Sequence, residues 1–294
     1  MHAGVRATVM LAFVLSVAVA QVRSGPTAEP LRVAGRLVDT AGAPFPHQNL
    51  RIGIRTRSGP SETSYAETDD RGGFAFPAAS HTNYDVSVVD VPQVGTMTFS
   101  LGRMDIDFGT IALEFPHPGR PQIAVLGPIT ASVPRFHRAA ESTPSQSGAP
   151  QSITLVYLTS DCDVNIVQRD GTQIRPEKEK DQSGCAAIRL STDEIAAGWV
   201  VEYNGCCQSY PLPLKLVIFK PGRPLHRFVG DERAIWNWRF VDGSRYVALY
   251  QDFPHGKPAP HFELRDIDSE RLVAKWENDV TAKAPNWTKG LVSR

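Results

Sequence analysis

Short segments in the first third of the chain alternate between apolar and polar residues. Side chains of a strand point alternately to its two faces, so this period of two predicts strands with one buried face and one wet face. The apolar positions are Leu50, Ile52 and Ile54 in one segment, Phe74 and Phe76 in a second, and Tyr84, Val86 and Val88 in a third. A further strand is predicted around Leu31, Val33 and Leu37.

Turn-forming residues separate these segments. They occupy residues 39–44, 58–60 and 69–73, where glycine supplies positive φ and proline fixes φ for a turn. Strands about ten residues apart with such turns are typical of an all-β sandwich. The first region is therefore predicted to be a β-sandwich.

The same region resembles a known family. Residues 33–39 read Val-x-Gly-x-Leu-Val-Asp, and Gly-x-Pro follows at 42–44. Residues 68–76 read Thr-Asp-x-x-Gly-x-Phe-x-Phe, and residues 84–88 read Tyr-x-Val-x-Val. Together they resemble the carboxypeptidase regulatory-like domain, a transthyretin-like sandwich often grouped with carbohydrate-binding-like folds. The resemblance spans residues 31–113. It implies a scaffold that is appended to another module, and it implies no activity.

A targeting segment is predicted at residues 1–20. Arg6 precedes an apolar stretch over residues 7–20, which ends in the small-x-small pattern Ala18-Val19-Ala20. As a helix this stretch spans roughly 21 Å, less than the ~30 Å of a bilayer core. A cleaved signal peptide and a secreted or periplasmic chain are expected, with no later membrane span and no lipid-anchoring cysteine. An uncleaved anchor is the alternative.

Composition changes at residues 114–151. Seven prolines fall between positions 116 and 150, and residues 142–152 are rich in Ser, Pro and Gly. This composition predicts a semi-rigid linker. Within it, residues 122–126 form one candidate strand that could pair with either neighbour.

Residues 152–287 are predicted to form a second β-rich domain with an internal repeat. The repeated strand segments are residues 199–203, 214–219 and 225–228, and then residues 246–250, 261–265 and 272–276. A third, degenerate unit begins at residues 153–157. A period of 40–50 residues with four short strands is typical of propeller blades, but a closed ring needs about four to eight blades. The blades could pair between chains in a homo-oligomer, yet the pattern favours a compact sandwich with a superficial repeat.

All four cysteines lie in this second region. An even number in an exported chain favours disulfides, and Cys162–Cys185 is the preferred pair. Cys206 and Cys207 could then form a strained, reducible vicinal bridge with redox activity. Crossed structural bridges from Cys206 and Cys207 to Cys162 and Cys185 are the equal alternative, and a four-cysteine zinc site is less favoured.

Few other residues in the sequence indicate a catalytic, metal or cofactor site. The chain has 31 basic and 31 acidic residues, which argues against a nucleic-acid partner. It lacks a nucleophile elbow, a zinc-protease helix, a phosphate loop and a dinucleotide fingerprint, so no cofactor is expected. His255 and His261 flank a proline-rich loop and are the best metal or acid–base candidates, but such a loop needs no ligand to exist.

Aromatic residues are the remaining candidates for a ligand site. Trp236, Trp238, Tyr246 and Tyr250 could form a platform for stacking sugars, although such residues more often belong to a core. The sequence therefore predicts a non-catalytic binding protein of the cell envelope or exterior, with a carbohydrate or protein ligand. The alternatives are an enzyme or redox protein using Cys206-Cys207 or His255 and His261, and a structural spacer.

Overall fold

The computed structural model describes residues 30–55, 62–89, 96–114, 122–134, 151–159, 162–205, 209–230, 233–255, 259–277 and 283–291. The predicted signal peptide lies outside them. These residues form twenty strands and a 3-10 turn at Asn286–Thr288, which confirms the all-β prediction. In this part of the chain we find no helix with the length and apolar character of a membrane span.

The strands divide between a sandwich and a series of meanders. The strands up to residue 132 are β1 (Leu31–Val38), β2 (Asn49–Arg55), β3 (Glu62–Glu67), β4 (Gly73–Ala78), β5 (Asn83–Val88), β6 (Met97–Leu101), β7 (Asp105–Glu114), β8 (Gln122–Leu126) and β9 (Thr130–Ser132). The later strands are β10 (Ile153–Leu158), β11 (Val164–Gln168), β12 (Gln173–Ile174), β13 (Gly184–Leu190), β14 (Ala197–Tyr203), β15 (Leu212–Phe219), β16 (His226–Val229), β17 (Ala234–Val241), β18 (Tyr246–Asp252), β19 (His261–Asp266) and β20 (Leu272–Trp276).

Two sheets form the predicted sandwich. Sheet 1 has the order β4-β1-β7-β8, with β9 also paired to β7. Its β1 and β7 strands run parallel, whereas its other pairs are antiparallel. Strands β8 and β9 fall in the segment predicted as a linker, and β8 pairs with the preceding β7. The sandwich sheet therefore continues into that segment.

The sandwich core follows the alternation seen in the sequence. Leu50 and Ile52 of β2 are 2% and 1% exposed. They share one cluster with Phe99 of β6 and Phe108 of β7, whose rings meet edge to face at 5.3 Å. Burying such aromatic and aliphatic side chains contributes roughly 1.5–3 kcal/mol each. This burial holds the two sheets together.

Sheet 2 extends beyond the sandwich. Its order is β12-β11-β10-β6-β5-β2-β3, so β10 pairs antiparallel with β6, and Phe99 lies opposite Tyr157. All six residues of β10 are buried. Leu155 and Tyr157 enter the sandwich core, whereas Ile153 and Val156 face the meanders that follow. The sheet thus crosses the predicted domain boundary at residue 152.

Two four-stranded antiparallel meanders follow. Sheet 3 has the order β13-β14-β15-β16, and sheet 4 has the order β17-β18-β19-β20. The repeated segments of the sequence are the last three strands of each sheet. Strands β10, β11 and β12 occupy the corresponding places in the degenerate third unit, with β6 in place of a first strand. The sequence repeat is therefore an architectural repeat rather than a superficial one.

The three four-stranded units pack face to face, and we call this arrangement the stack. Trp199 and Val217 of sheet 3 pack against Ile166 of β11. On its opposite face, sheet 3 contributes Leu216 to a second cluster that contains Trp238 of β17. The outer face of sheet 4 is covered by the C-terminal residues Trp287 and Leu291.

Candidate binding surface

The disulfide preferred from the sequence is present. Cys162, before β11, is bonded to Cys185 of β13, with 5.5 Å between their Cα atoms. The bridge joins the first unit of the stack to sheet 3 at the end where β10 leads into β11. Cys206 and Cys207 lie outside the described residues, so their predicted vicinal bridge stays a prediction.

The four aromatic residues predicted as a platform do not share a face. Trp238 is fully buried between sheets 3 and 4, and its indole N–H donates to the carbonyl of Ala187 at 2.8 Å. Tyr246 and Tyr250 lie on the opposite face of sheet 4, in the cluster covered by the C-terminal residues. Trp238 is therefore a core residue rather than a stacking surface.

A β-bulge separates Trp236 from Trp238. In the register of β17 on β18, Ile235 lies opposite Gln251 and Asn237 lies opposite Tyr250, so Trp236 is the extra residue. A bulge re-aims the side chain that it carries. Trp236 is accordingly 42% exposed, and its indole N–H donates to the carbonyl of Asp252 at 3.3 Å. It is the one member of the predicted platform that is open to solvent to this extent.

Trp236 lies among other exposed apolar side chains at one end of the stack. We call Tyr210, Val229, Trp236, Phe253 and His255 the aromatic end. Tyr210, Trp236 and Phe253 are 40%, 42% and 41% exposed, and Val229 is 57% exposed. Within sheet 3, β15 begins beside the end of β16, and within sheet 4, β17 begins beside the end of β18. The ring contact between Tyr210 and His255 connects these two ends.

Direct contacts connect the two sheets at the aromatic end. The ring of Tyr210, from the loop after β14, meets the imidazole of His255 at 6.1 Å and at a steep angle. His255 follows β18, so this contact joins a loop of sheet 3 to a loop of sheet 4. The guanidinium of Arg233 lies 4.8 Å from the centre of the Phe253 ring. One face of this ring thus carries a cation.

Asp252 fixes the loop that presents Phe253. Its side chain is buried, and Oδ1 accepts hydrogen bonds from the backbone N–H groups of Phe253 and Ala259, each at 2.8 Å. The other oxygen accepts from the Tyr250 hydroxyl at 3.3 Å. Burial, followed by the Asp252 charge, raises the pKa of Tyr250, so this hydroxyl stays protonated as a donor. These bonds therefore hold Phe253 and Ala259, on either side of residues 256–258, in place.

His255 and His261 do not have similar environments. His255 is exposed beside Tyr210, whereas His261 is buried, with Nε2 at 3.2 Å from Glu263 and Nδ1 at 3.5 Å from Glu277. Burial alone would raise the pKa of Glu263, but hydrogen bonds from Arg265 and His261 outweigh it and lower the pKa. His261 is thus part of a buried polar network.

Possible metal ligands are dispersed. The described ranges contain no group of three His, Cys, Asp or Glu side chains placed to hold an ion. The proposed ligand pair at His255 and His261 is separated by residues 256–258, which lie outside those ranges. The aromatic end can bury apolar surface and offers the guanidinium of Arg233, and both features suit binding.

Sequence reasoning found only part of this surface. Trp236 belongs to the predicted aromatic platform, whereas Phe253 and Val229 do not. Phe253 directly precedes Pro254 after a predicted strand, and an aromatic residue in such a turn is a usable signal. Val229 has no such signal, because its exposure comes from lying at the end of the outer strand β16.

Comparisons with known proteins identify no family for this chain. No family model matches the chain, and no curated protein matches it. Among solved structures, the crystal structure of TolB from Acinetobacter baumannii is similar with a TM-score of 0.31 and 12% identity. The match covers 79% of this chain and 53% of that chain. This chain thus spans about half the length of that protein, and a likeness at this TM-score establishes no family.

Proposed function

We propose that this chain is an exported, non-catalytic binding protein of the cell envelope or exterior, and that it binds another protein through the aromatic end. The observation that carries the proposal is the group of exposed rings from two sheets, Tyr210, Trp236 and Phe253. Contiguous exposed apolar surface often marks an interaction site, and aromatic residues are enriched among the residues that dominate such interfaces.

The chemistry of the surface favours a protein over a carbohydrate. A sugar would have to stack on the second face of the Phe253 ring, because Arg233 lies over the first, and the aliphatic Val229 offers no stacking surface. An apolar partner surface that carries a carboxylate would cover the rings and meet Arg233. A carbohydrate that stacks on Trp236 alone is the second candidate, because this ring lies 42% exposed.

Export is supported by the Cys162–Cys185 disulfide, since such bonds persist in oxidising compartments, and by the predicted signal peptide. The resemblance of residues 31–113 to the carboxypeptidase regulatory-like domain supports a scaffold role for the sandwich. In this proposal the sandwich carries the stack, and the stack carries the binding surface.

Site-specific photocrosslinking in the exporting cell tests the proposal. A benzophenone amino acid is placed at Trp236 or Phe253, and at Tyr65 as a control, because Tyr65 of β3 is 65% exposed on the sandwich. We expect positions 236 and 253 to crosslink to one shared protein that position 65 does not reach. Binding of that purified protein should weaken at least about tenfold in a W236A/F253A double variant, which is ~1.4 kcal/mol.

Other outcomes separate the competing functions. Glycan-array binding that W236A abolishes would assign a carbohydrate ligand, and a crosslink between two copies of this chain would assign a homo-oligomer. Thiol–disulfide activity that C206S/C207S removes, or a metal bound through His255 and His261, would favour an enzyme. Absence of any crosslink at positions 236 and 253 would leave the spacer function.

A further inference from the structure

The outer face of sheet 4 differs from the other packed faces of the stack. Elsewhere one sheet buries the next, since Trp199 packs against Ile166 and Leu216 packs with Trp238. The outer face of sheet 4 is instead covered by residues 283–291, which contain the 3-10 turn and add no strand to the sheet. We call these residues the C-terminal cap. A stack of repeated units needs its last apolar face shielded from water, and the cap provides that shield.

The face under the cap is a continuous row of aromatic rings. The ring of Tyr250 stacks on that of Phe262 with 5.2 Å between their centres, and the Phe262 ring lies 5.1 Å from that of Trp276. These residues belong to β18, β19 and β20, so the row crosses the sheet. Phe262 is 2% exposed and shares one cluster with Trp287 and Leu291 of the cap. Without the cap, this face would be an apolar patch of the kind that soluble monomers rarely leave open.

Side chains of β17 tie the cap to sheet 4. The amide nitrogen of Asn237 donates to the carbonyl of Leu291 at 2.7 Å. The guanidinium of Arg239 donates to the carbonyls of Trp287 and Asn286 at 3.1 and 3.2 Å. The four strands, by contrast, are joined to one another by backbone ladders. The cap can therefore leave through the exchange of side-chain contacts, with the ladders of the sheet intact.

We propose that the C-terminal cap is a detachable cover, and that sheet 4 stacks on sheet 4 of a second copy of this chain when the cap leaves. Within one chain, sheet 3 already packs face to face with the first unit and with sheet 4, so sheet-on-sheet contact is how this chain buries its apolar faces. The two copies would present the same face to each other about a two-fold axis, which is the commonest symmetry of homo-oligomers.

The size and chemistry of the face favour a second copy. Aromatic side chains bury roughly 150–250 Å² each, so the rings of Tyr250, Phe262 and Trp276 supply much of the ~800 Å² that each partner of a stable interface buries. Ala248 and Leu264 of the same cluster add aliphatic surface. Homodimer interfaces are more apolar than those of transient partners, which matches this face. The proposal uses none of the residues of the aromatic end.

Carboxylates placed under the cap test the inference in the full chain. In a W287E/L291E double variant the charged side chains cannot stay in the apolar cluster without a large cost, so the cap should detach. By sedimentation velocity, we expect this variant to dimerise with a Kd at least about tenfold below that of the native chain. An A284E/N286E double variant adds the same charge at exposed positions of the cap and should associate no more than the native chain.

A synthetic peptide of residues 283–291 identifies the surface at which the copies meet. We expect this peptide to return the W287E/L291E variant to a monomer, whereas a peptide carrying the same two substitutions leaves the dimer unchanged. Circular dichroism and urea unfolding check that the variant keeps its sheets. The proposal is overturned by a double variant that unfolds, by one that associates no more than the native chain, or by a dimer that the native peptide does not dissociate.

Discussion

The side chain of Asp193 joins two successive sheets of the stack. Asp193 lies in the turn between β13 and β14, and its Oδ2 accepts a 2.7 Å hydrogen bond from the backbone N–H of Ser244, in the turn between β17 and β18. Its Oδ1 accepts from the Ser191 hydroxyl at 2.6 Å and from the Ile195 N–H at 3.2 Å. One carboxylate therefore fixes its own turn and the neighbouring sheet.

Replacing Asp193 should cost stability. Asp193→Ala leaves the Ser244 and Ile195 N–H groups without this acceptor, so we expect the free energy of unfolding to fall by about 2–3 kcal/mol. Denaturant titration measures this change. Asp70→Ala, at a side chain that is 90% exposed, is the control and should stay within about 0.5 kcal/mol. Equal effects of the two variants would contradict the proposed role.

The two neighbouring tryptophans should respond very differently to truncation. Trp238→Ala removes a fully buried ring and should lower the free energy of unfolding by about 3–5 kcal/mol. Trp236→Ala removes a ring on the bulge and should change it by less than about 1 kcal/mol. Urea unfolding of both variants checks the assignment. Similar losses would mean that both rings belong to one core.

The Cys162–Cys185 disulfide should stabilise the chain by restricting its unfolded state. It closes a loop with a sequence separation of 23, which is worth roughly 3.5 kcal/mol in the chain-entropy model. We expect a C162S/C185S double variant to lose about this much. Mass spectrometry of a non-reduced digest checks the pairing, because a peptide that joins Cys162 to Cys206 or Cys207 would exclude it.

Acid should weaken an ion-pair cluster on sheet 3. Burial alone would raise the pKa of Glu179, but hydrogen bonds from Lys215 and Arg227 outweigh it, so its pKa lies below the ordinary 4.5. Oε2 lies 2.7 Å from Lys215 Nζ, and Oε1 lies 2.8 Å from Arg227 Nε. A lowered pKa gives stability that is present above the unfolded-state pKa and is lost as pH falls through the folded-state pKa.

Replacing Glu179 with glutamine should therefore remove part of the loss of stability that the native chain shows as pH falls. We expect Glu179→Gln to be less stable than the native chain at pH 7, with the gap shrinking below about pH 4. Glu202 provides a control of opposite sign, since burial raises its pKa. Its ionisation costs stability as pH rises, so Glu202→Gln should stabilise the chain at pH 7. Denaturant midpoints of both variants and of the native chain are measured at several pH values. The account is contradicted if, at pH 7, both variants are less stable than the native chain or both are more stable.

Local patterns predicted much of the strand content. The alternation at Leu50 and Ile52 gave a strand with a buried face, and both side chains are buried. The pairing of β10 with β6 could not be predicted from local patterns. Strand β6 lies more than fifty residues earlier, and no local pattern of apolar residues indicates such a distant partner. The bulge at Trp236 likewise breaks the alternation on which the aromatic platform depended.

The sequence reveals only part of the aromatic end. Tyr210 and Trp236 are visible as aromatic residues near strand ends, although the exposure of Trp236 depends on the bulge.

Strand β6 is shared by the sandwich and the stack, and the alignment of the first unit with the sandwich depends on this sharing. Its pairing with β10 places Phe99 opposite Tyr157 and Ser100 opposite Val156. Nuclear Overhauser effects between the backbones of β6 and β10, measured in the isotope-labelled full chain, test it most directly. We predict cross-strand contacts at Phe99–Tyr157 and Ser100–Val156. Their absence, with β10 in contact with β11 alone, would contradict the account.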